Sequence, residues 1–180
     1  MPAKTQKEWT LQDLKETEGT EKRLALYEDD LYGREKPKDE ILQIIVFRLD
    51  REWYGVEITK VKEVMKVGRI TYLPSSPQRI AGIVNSRGNI LSVTDLKAIF
   101  GLPRGEPTDK ARIIVIESKT LETGFLVDEV VESVEVPVGK IEVTLPTIPA
   151  EGATYIKGQC ALDDKLVALI TVEKLFEKGA

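Results

Sequence analysis

The stretch IAGIVNSRGNILSVTDL, residues 80–96, contains two β-type runs separated by turn residues. The runs are Ile80–Asn85 and Ile90–Thr94, and the residues between them form a hairpin tip in which Gly88 can supply a positive φ. The following segment, Asp95–Phe100, has the pattern of a short helical turn, with Gly101 just beyond its end. This part of the chain therefore predicts a hairpin followed by one turn of helix.

The same pattern recurs later in the chain, which indicates an internal repeat. With a shift of 76 residues the matched pairs include Ile80 with Ile156, Gly82 with Gly158, Ile90 with Leu166 and Phe100 with Phe176. Upstream, a shift of 69 residues matches Ile44-Ile45-Val46 with Ile113-Ile114-Val115, Gly55 with Gly124, Val61 with Val130 and Glu63 with Glu132. The sequence thus predicts two related units of about 70 residues. Each unit is near the lower size limit for a solitary core, so we expect them to pack on each other.

From residue 41 onwards, short β-type runs follow one another with turn residues between them, which favours small β-barrels or a sandwich over alternating strands and helices. Ten runs are predicted: Ile41–Leu49, Trp53–Val56, Lys62–Val67, Ile80–Asn85, Ile90–Thr94, Arg112–Glu117, Gly124–Asp128, Val130–Val136, Tyr155–Ala161 and Lys165–Thr171. A second helical turn is predicted at Val172–Lys178. The body of the protein is therefore expected to be mainly β.

Residues 1–40 differ from the rest of the chain. They hold 8 Lys or Arg and 11 Asp or Glu, a net charge of −3 out of a total of −4, and few apolar side chains. Leu24, Tyr27 and Leu31 follow a helical spacing, and Gly33–Asp39 is typical of a linker. Two interpretations stay open, namely a tail with nascent helix and a docking arm that folds on a partner or packs back on the body.

Composition excludes several function classes. The 180 residues are 42% hydrophobic and 31% charged with a net charge of −4, so an ordinary globular chain is expected rather than a nucleic-acid binder. One Cys and the absence of His exclude an intramolecular disulfide, His-based nucleophilic sites and His-ligated metals. The N-terminus lacks an apolar signal region and no apolar stretch is long enough to span a membrane, so we expect a cytoplasmic protein.

The two halves of the repeat act as controls for each other. Arg87 at the first hairpin tip corresponds to Asp163 in the second, so the fold does not require Arg at this place. An Arg on a hairpin offers a rigid fork of donors for a partner's carboxylate or carbonyl groups, although a solvated turn charge is the plainer interpretation. Glu63 has the equivalent Glu132 in the second half, which favours a structural role.

The sequence offers little support for a catalytic site. The carboxylate pairs Asp128/Glu132 and Asp163/Asp164 lie on a repeated strand and in a turn sequence, and no phosphate-binding glycine loop is present in the sequence. Cys160 lies within a β run and is expected to be a small core residue. We therefore predict a binding module.

At this point the residues resemble a known family, the CheW family of chemotaxis coupling proteins. The matching segments are FRLDREWYGVEITKVKEV (47–64) and LPSSPQRIAGIVNSRGNILSVTDL (73–96), followed by GFLVDEVVESV (124–134) and YIKGQCALDDKLVALITVEKL (155–175). The resemblance covers about residues 41–178. Residues 1–40 are an unusual extension, and Ser86 stands where an apolar residue is common.

The resemblance implies two SH3-like five-stranded β-barrels, residues 41–105 and 106–178, packed on a shared hydrophobic core, with an exchange of strands between them left open. It implies a non-catalytic adaptor without cofactor or metal, which couples the cytoplasmic hairpin tips of chemoreceptors to the regulatory domain of the histidine kinase CheA. Self-association in rings, at receptor arrays on the inner face of the membrane and without insertion into it, is implied as well. In the family, the receptor-facing groove includes residues that match Val61, Glu63, Arg87 and Gly88 here.

Two alternatives stay open. One is an adaptor of a non-chemotactic chemosensory pathway, in which the coupling surfaces would look the same. The other is a small-ligand-binding or enzymatic β-barrel, which predicts a deep apolar pocket with convergent polar groups.

Overall fold

The computed structural model describes residues 40–118, 121–143 and 150–177, all within one compact unit that spans Asp39–Ala180. The expectations for residues 1–39 lie outside these described residues. The ten strands are β1 (Ile41–Leu49), β2 (Glu52–Glu57), β3 (Val61–Lys66), β4 (Ile80–Ser86), β5 (Asn89–Asp95), β6 (Arg112–Glu117), β7 (Glu122–Val127), β8 (Glu129–Pro137), β9 (Ile156–Leu162) and β10 (Lys165–Ile170). The ten β runs predicted from the sequence are thereby confirmed.

Short helices complete the fold. They are α1 (Leu96–Phe100), α2 (Ala150–Ala153) and α3 (Val172–Glu177), together with 3-10 turns at Ile58–Lys60 and Val138–Lys140. In α1, the Asp95 side chain caps the first turn by accepting hydrogen bonds from the backbone N–H groups of Lys97 and Ala98, and Gly101 ends the helix with a φ of 65°. Both predicted helical turns are therefore present.

The strands form two five-stranded sheets that mix the halves of the chain. Sheet 1 has the order β8-β1-β2-β10-β9 and sheet 2 the order β3-β6-β7-β5-β4. Each sheet thus joins the first two strands of one half to the last three of the other. Neighbouring strands are antiparallel except for the parallel pairs β2–β10 and β5–β7. The mainly β fold with two five-stranded units, as predicted, is confirmed.

Each sheet bends back on itself, and a two-residue bridge joins its outer strands. In sheet 2, Thr71 and Ile83 exchange backbone hydrogen bonds of 2.8 and 2.9 Å between the chain after β3 and strand β4. In sheet 1, Glu142 and Gln159 do the same at 2.8 Å. These bridges give each sheet a barrel-like form, because they connect strands at opposite edges.

The core has three layers, which explains the uninterrupted apolar runs in β1 and β6. Alternate residues face opposite sides of a strand. Ile44 and Val46 of β1 therefore point into sheet 1, whereas Ile45 and Phe47 point toward sheet 2. The equivalent strand β6 divides in the same way, with Ile113 and Val115 inside sheet 2 and Ile114 and Ile116 between the sheets.

A row of aromatic rings lies in the layer between the sheets. Phe47 stacks on Tyr54 with ring centroids 6.1 Å apart, Tyr54 stacks on Phe100 of α1 at 4.9 Å, and Phe100 meets Tyr155 edge-on at 6.3 Å. Tyr54 is 2% exposed, and its hydroxyl donates to Glu52 at 2.6 Å. Burial and the neighbouring Glu52 carboxylate raise the pKa of this phenol. These rings pack α1, which follows β5 of sheet 2, against sheet 1.

Candidate functional site

The hairpin between β4 and β5 has a two-residue tip, Arg87-Gly88, closed by the pair Ser86 and Asn89. Both tip residues have positive φ, 52° for Arg87 and 89° for Gly88, as a type I′ turn requires. The Asn85 side chain supports the turn by accepting a hydrogen bond of 2.8 Å from the Gly88 N–H. The positive φ expected of Gly88 is confirmed, and Arg87 shares it, which the sequence had not indicated.

Positive φ is unfavourable for Arg, so the turn geometry does not explain why position 87 is an Arg. Left-handed backbone costs an L-residue with a Cβ about 1–2 kcal/mol, and type I′ turns prefer Asn, Asp or Gly at this position. The equivalent tip in sheet 1 has Asp163, also with a φ of 52°. Arg87 thus adopts a left-handed backbone conformation that an Arg side chain does not favour.

The structure brings Arg87 and Glu63 together. The guanidinium donates to the Glu63 carboxylate with an Nη2–Oε2 distance of 2.6 Å, and the Ser86 hydroxyl donates to the same carboxylate at 3.4 Å. Glu63 belongs to β3 and Arg87 follows β4, so the contact spans the two outer strands of sheet 2. The Arg87 side chain remains 82% exposed and that of Glu63 is 24% exposed. The Arg87 guanidinium therefore lies at the surface, held in place by the Glu63 carboxylate.

Val61 lies on the opposite face of β3 from Glu63. A bulge at Lys62 shifts the register, so that Val61 pairs with Ile116 and Glu63 pairs with Val115. Val61 accordingly packs against the core between the sheets. Of the four residues that the resemblance implied, Glu63 and Arg87 are in contact, Gly88 adjoins them, and Val61 faces the layer between the sheets.

Lysines next to this site are engaged by carboxylates. Lys62 donates to Glu122 at 2.8 Å and lies 3.8 Å from Glu117. The hydrogen bond to Glu122 raises the pKa of Lys62. Lys60 forms an ion pair with Glu173 of α3, and this hydrogen bond raises the pKa of Lys60 and lowers that of Glu173. These pairs set the charge balance beside the Arg87 tip.

Sheet 1 carries an equivalent of this site with different chemistry. Glu132, the counterpart of Glu63, lies 3.5 Å from Lys165, and Lys165 also sits 5.0 Å from the centre of the Trp53 ring. At the tip, Asp163 takes the place of Arg87. Each sheet therefore pairs the acid on its outer strand with a cation, but the two cations stand at non-equivalent positions, because Lys165 corresponds to Asn89 and the exposed Arg belongs to sheet 2.

Asp128, one of the carboxylates considered for catalysis, is engaged in other contacts. Asp128 pairs with Lys97 at 2.7 Å and accepts a hydrogen bond of 2.7 Å from the Asp50 N–H. Cys160 is buried in sheet 1, and burial raises the pKa of its thiol. Among the described residues, no group of three His, Cys, Asp or Glu side chains is arranged to hold a metal ion. Within the same ranges, no helix is long and apolar enough to cross a membrane.

A cleft of about 960 Å³ lies between sheet 2 and the connector after α1. Its lining includes Lys66, Arg104, Arg112 and Asp109 as well as apolar side chains. Arg104 contacts Asp95 at 3.3 Å and the Gln78 carbonyl at 2.9 Å, and Arg112 donates to the carbonyls of Asp109 and Ala111. These cations hold the connector in place, so the cleft differs from the apolar pocket that the ligand-binding alternative predicts.

Sequence reasoning did not single out two apolar side chains near the tip, Ile90 and Leu121. They are 76% and 42% exposed. Ile90 begins a predicted β run and is followed by Leu91, which is also apolar. When two adjacent residues are both apolar, the pattern does not show which of the two side chains is exposed. The sequence signal was that the equivalent position in the second half is also apolar, Leu166, and its side chain is likewise exposed, at 54%.

Comparison with known proteins gives a consistent result. Residues 43–180 match the family model described as a CheW-like domain. The chemotaxis protein CheW of Bacillus subtilis is 29% identical over 136 residues, which cover 76% of this chain and 87% of that protein. The crystal structure of the scaffolding protein TtCheW from Thermoanaerobacter tengcongensis is similar, with a TM-score of 0.69, 36% identity, and coverage of 77% of this chain and 94% of that one. Protein PilI of Pseudomonas aeruginosa is 29% identical over 114 residues, 63% of this chain and 64% of PilI.

Proposed function

This chain belongs to the CheW family, and we propose that it is a non-catalytic adaptor that couples chemoreceptor cytoplasmic tips to the histidine kinase CheA in chemotaxis. The observation that carries the proposal is the Arg87–Glu63 pair at the tip of sheet 2. The family resemblance associates both positions with the receptor-facing groove. The TtCheW structure is described as a scaffolding protein, which supports an adaptor role here.

The receptor site is proposed to consist of Glu63, Arg87 and Gly88 at the tip of sheet 2 and, on the opposite face of β3, the partly buried Val61. Glu63 fixes the direction of the Arg87 guanidinium, which keeps donors directed to the surface. Arg87 occupies a backbone conformation that favours Asn, Asp or Gly. A side chain that is unfavourable for the turn and highly exposed supports a role in binding rather than in stability.

The adaptor acts through two interfaces at once. A receptor tip would engage the sheet 2 site, and the regulatory domain of the kinase would engage another surface of residues 41–178, made of the related units 41–105 and 106–178. Signal transfer then depends on a coupling free energy between the two interfaces and needs no chemical step. Ring-like self-association in arrays at the inner face of the membrane, in the cytoplasm, would add avidity to individually weak contacts.

The N-terminal extension has two proposed roles, a tail and a docking arm. Its acidic balance of 11 Asp or Glu against 8 Lys or Arg favours basic partner surfaces. Deletion of residues 1–38 separates the roles. A docking arm predicts a loss of affinity for one partner on deletion, and a tail predicts unchanged affinity for both.

The test is a titration of the full chain with a chemoreceptor cytoplasmic hairpin fragment and, separately, with the regulatory domain of CheA. The informative variant is Arg87→Asn, because Asn suits the turn and keeps the fold. We expect it to weaken receptor binding about tenfold or more, as for a central interface Arg, with kinase binding unchanged. The matched control is Asp163→Asn at the equivalent tip, for which receptor affinity should not change. Unchanged receptor binding by Arg87→Asn would remove Arg87 from the site.

A second candidate function is an adaptor in a chemosensory pathway with an output other than chemotaxis. The similarity to PilI, a protein whose name does not refer to chemotaxis, favours keeping this candidate. Deletion of the gene distinguishes the two, since the chemotaxis role predicts loss of directed swimming and the second role predicts normal swimming with a different defect. A small-ligand role predicts a thermal shift with added metabolites.

A further inference from the structure

Helices α1 and α3 occupy equivalent places in the repeat, and both pack on the layer between the sheets. The matched apolar residues are Leu96 with Val172 and Phe100 with Phe176. Leu96 and Val172 are both buried, but Phe100 is 1% exposed whereas Phe176 is only partly buried. The larger of the two matched side chains is therefore less completely buried in α3 than in α1.

The aromatic rings that contact α1 are replaced by other residues beneath α3. Phe100 of α1 meets the rings of Tyr54 and Tyr155, and the positions equivalent to these two tyrosines hold Thr123 and Arg79. A gap of about 20 Å³ lies between these two residues and α3. Such a gap holds about one water molecule, and the side chains around it forfeit the dispersion contacts that a filled site would make.

The residues that precede the two helices also differ. Asp95 caps α1 by accepting hydrogen bonds from the N–H groups of Lys97 and Ala98. Its counterpart before α3 is Thr171, whose hydroxyl is buried and bonds to no atom of the described residues. A side-chain cap stabilises a short helix, whereas a buried hydroxyl without a partner destabilises the state that buries it. Water would satisfy the Thr171 hydroxyl once α3 moved away from the sheets.

An ion pair fastens each helix, and that of α3 is the more exposed. Lys97 of α1 pairs with Asp128 at 2.7 Å, with side chains 15% and 28% exposed, and Asp128 also accepts a hydrogen bond from the Asp50 N–H. Glu173 of α3 pairs with Lys60, and these two side chains are 53% and 37% exposed. Because exposed ion pairs contribute little to stability, the attachment of α3 is weaker than that of α1.

The ion pair of α3 ends beside the proposed receptor site. Lys60 closes the 3-10 turn and is followed directly by Val61, the first residue of β3. Val61 packs on the layer between the sheets, as do Leu175 and Phe176 of α3, and Val61 is only partly exposed in this arrangement. Movement of α3 away from the sheets would therefore open the layer on which Val61 packs.

We infer that α3 is a detachable latch, which leaves the layer between the sheets while both sheets stay folded, and whose release opens the receptor site at Val61. Local opening of a weakly held element requires less free energy than global unfolding. The docked latch lowers the apparent receptor affinity in proportion to the fraction of chains in which α3 is released. The part of the inference that concerns Val61 rests on the proposed receptor-binding function, whereas the detachment of α3 does not.

Thiol labelling tests the latch in the free full-length chain. Leu175→Cys and its matched control Ile99→Cys replace equivalent, partly buried residues of α3 and α1, each in a chain that also carries Cys160→Ala. We expect position 175 to react about tenfold faster than position 99, or more, in the native protein. Glu173→Gln should raise the rate at position 175 by up to about fivefold and leave the rate at position 99 unchanged. If a Cys variant fails to melt cooperatively, hydrogen exchange of α1 and α3 in the wild-type chain provides the same comparison.

A titration with a chemoreceptor cytoplasmic hairpin fragment tests the link to the receptor site. Because loss of the ion pair increases the released fraction, Glu173→Gln should bind the fragment up to about fivefold more tightly than the wild type. The matched control is Glu177→Gln, which removes an exposed acid from the same helix. Glu177 forms no ion pair among the described residues, so this variant should bind as the wild type does.

The outcomes separate the inference from the proposed function. Equal reaction rates at positions 175 and 99, or a rate at position 175 that Glu173→Gln does not change, overturn the latch whether or not a receptor binds. If the wild-type chain binds no receptor fragment, the proposed function fails, and the labelling rates still decide whether α3 detaches. If the wild-type chain binds and Glu173→Gln binds no more tightly, the proposed function stands and the link between the latch and Val61 is overturned.

Discussion

Arg87 and Asp163 adopt the same left-handed backbone conformation, with a φ of 52° in both, at equivalent hairpin tips of the two sheets. The tip geometry is therefore a property of the repeated fold, and the side chain at the tip is free to differ. Asp suits this conformation, whereas Arg does not. The fold therefore requires the left-handed backbone at both tips, whereas the Arg side chain at position 87 is attributed to binding.

The first prediction concerns the stability of the Arg87 tip. In Arg87→Asn, relief of left-handed strain contributes about 1 kcal/mol, while loss of an exposed ion pair costs about 0–1 kcal/mol. We expect a free energy of unfolding equal to that of the wild type or up to about 1 kcal/mol higher. Urea denaturation measures it. Destabilisation by several kcal/mol would mean that Arg87 is a structural residue.

The second prediction concerns Gly82, which lies against the bridge that joins β4 to the chain after β3. A Cβ atom at this position would lie 2.4 Å from the Thr71 carbonyl oxygen, and the φ of 147° is unfavourable for other residues. Gly82→Ala should therefore lower the free energy of unfolding by about 3 kcal/mol or more. Gly105→Ala is the control, because an added Cβ there meets no atom within 4 Å. Equal stability of both variants would show that the bridge tolerates displacement.

The third prediction concerns the ion pair between Lys60 and Glu173, which joins the start of β3 to α3. The pairing lowers the pKa of Glu173, so its contribution is present above the unfolded pKa of about 4.3 and disappears as the pH falls through the folded value. Both side chains are substantially exposed, so we expect less than about 1 kcal/mol. Thermal melts of wild type and Glu173→Gln should differ at neutral pH and converge in acid. A difference that persists below the folded pKa would contradict the assignment.

The fourth prediction concerns Cys160, the one cysteine of the chain. Its side chain is buried in the sheet 1 core, and burial raises the pKa of the thiol, which reduces the thiolate fraction at neutral pH. A thiol reagent should therefore label the native protein slowly and the protein in denaturant rapidly. Rapid labelling of the native protein would show that sheet 1 opens at this position.

Local patterns were sufficient to predict the strands, because turn residues mark their ends and the repeat provides a second copy of each signal. Gly82 and Gly158, which match in the repeat, are both glycine for the same physical reason. Each lies beneath the backbone bridge that joins the outer strands of its sheet, where a Cβ atom would clash. Cys160 was likewise predicted as a core residue from its place in a β run.

The site was predictable in part. The left-handed conformation of Arg87 was not, since Arg is not a residue that signals a type I′ turn. The bulge at Lys62 arises in the pairing of β3 with β6, a strand of the other half of the chain. A local sequence pattern does not predict pairing between distant strands. The resemblance implied that Val61 and Glu63 belong to one groove, and the bulge directs their side chains to opposite faces of β3.

The central claim is that one copy of this chain joins a receptor to the kinase. The most direct measurement is a sedimentation assay in which a chemoreceptor cytoplasmic fragment, tethered to vesicles, is mixed with CheA in the presence and absence of the full chain. We predict that CheA sediments with the vesicles when wild-type chain is added, and that this recruitment falls to the level without the chain for Arg87→Asn but persists for Asp163→Asn. Recruitment of CheA that does not depend on the chain, or a folded wild-type chain that binds neither partner, would contradict the account.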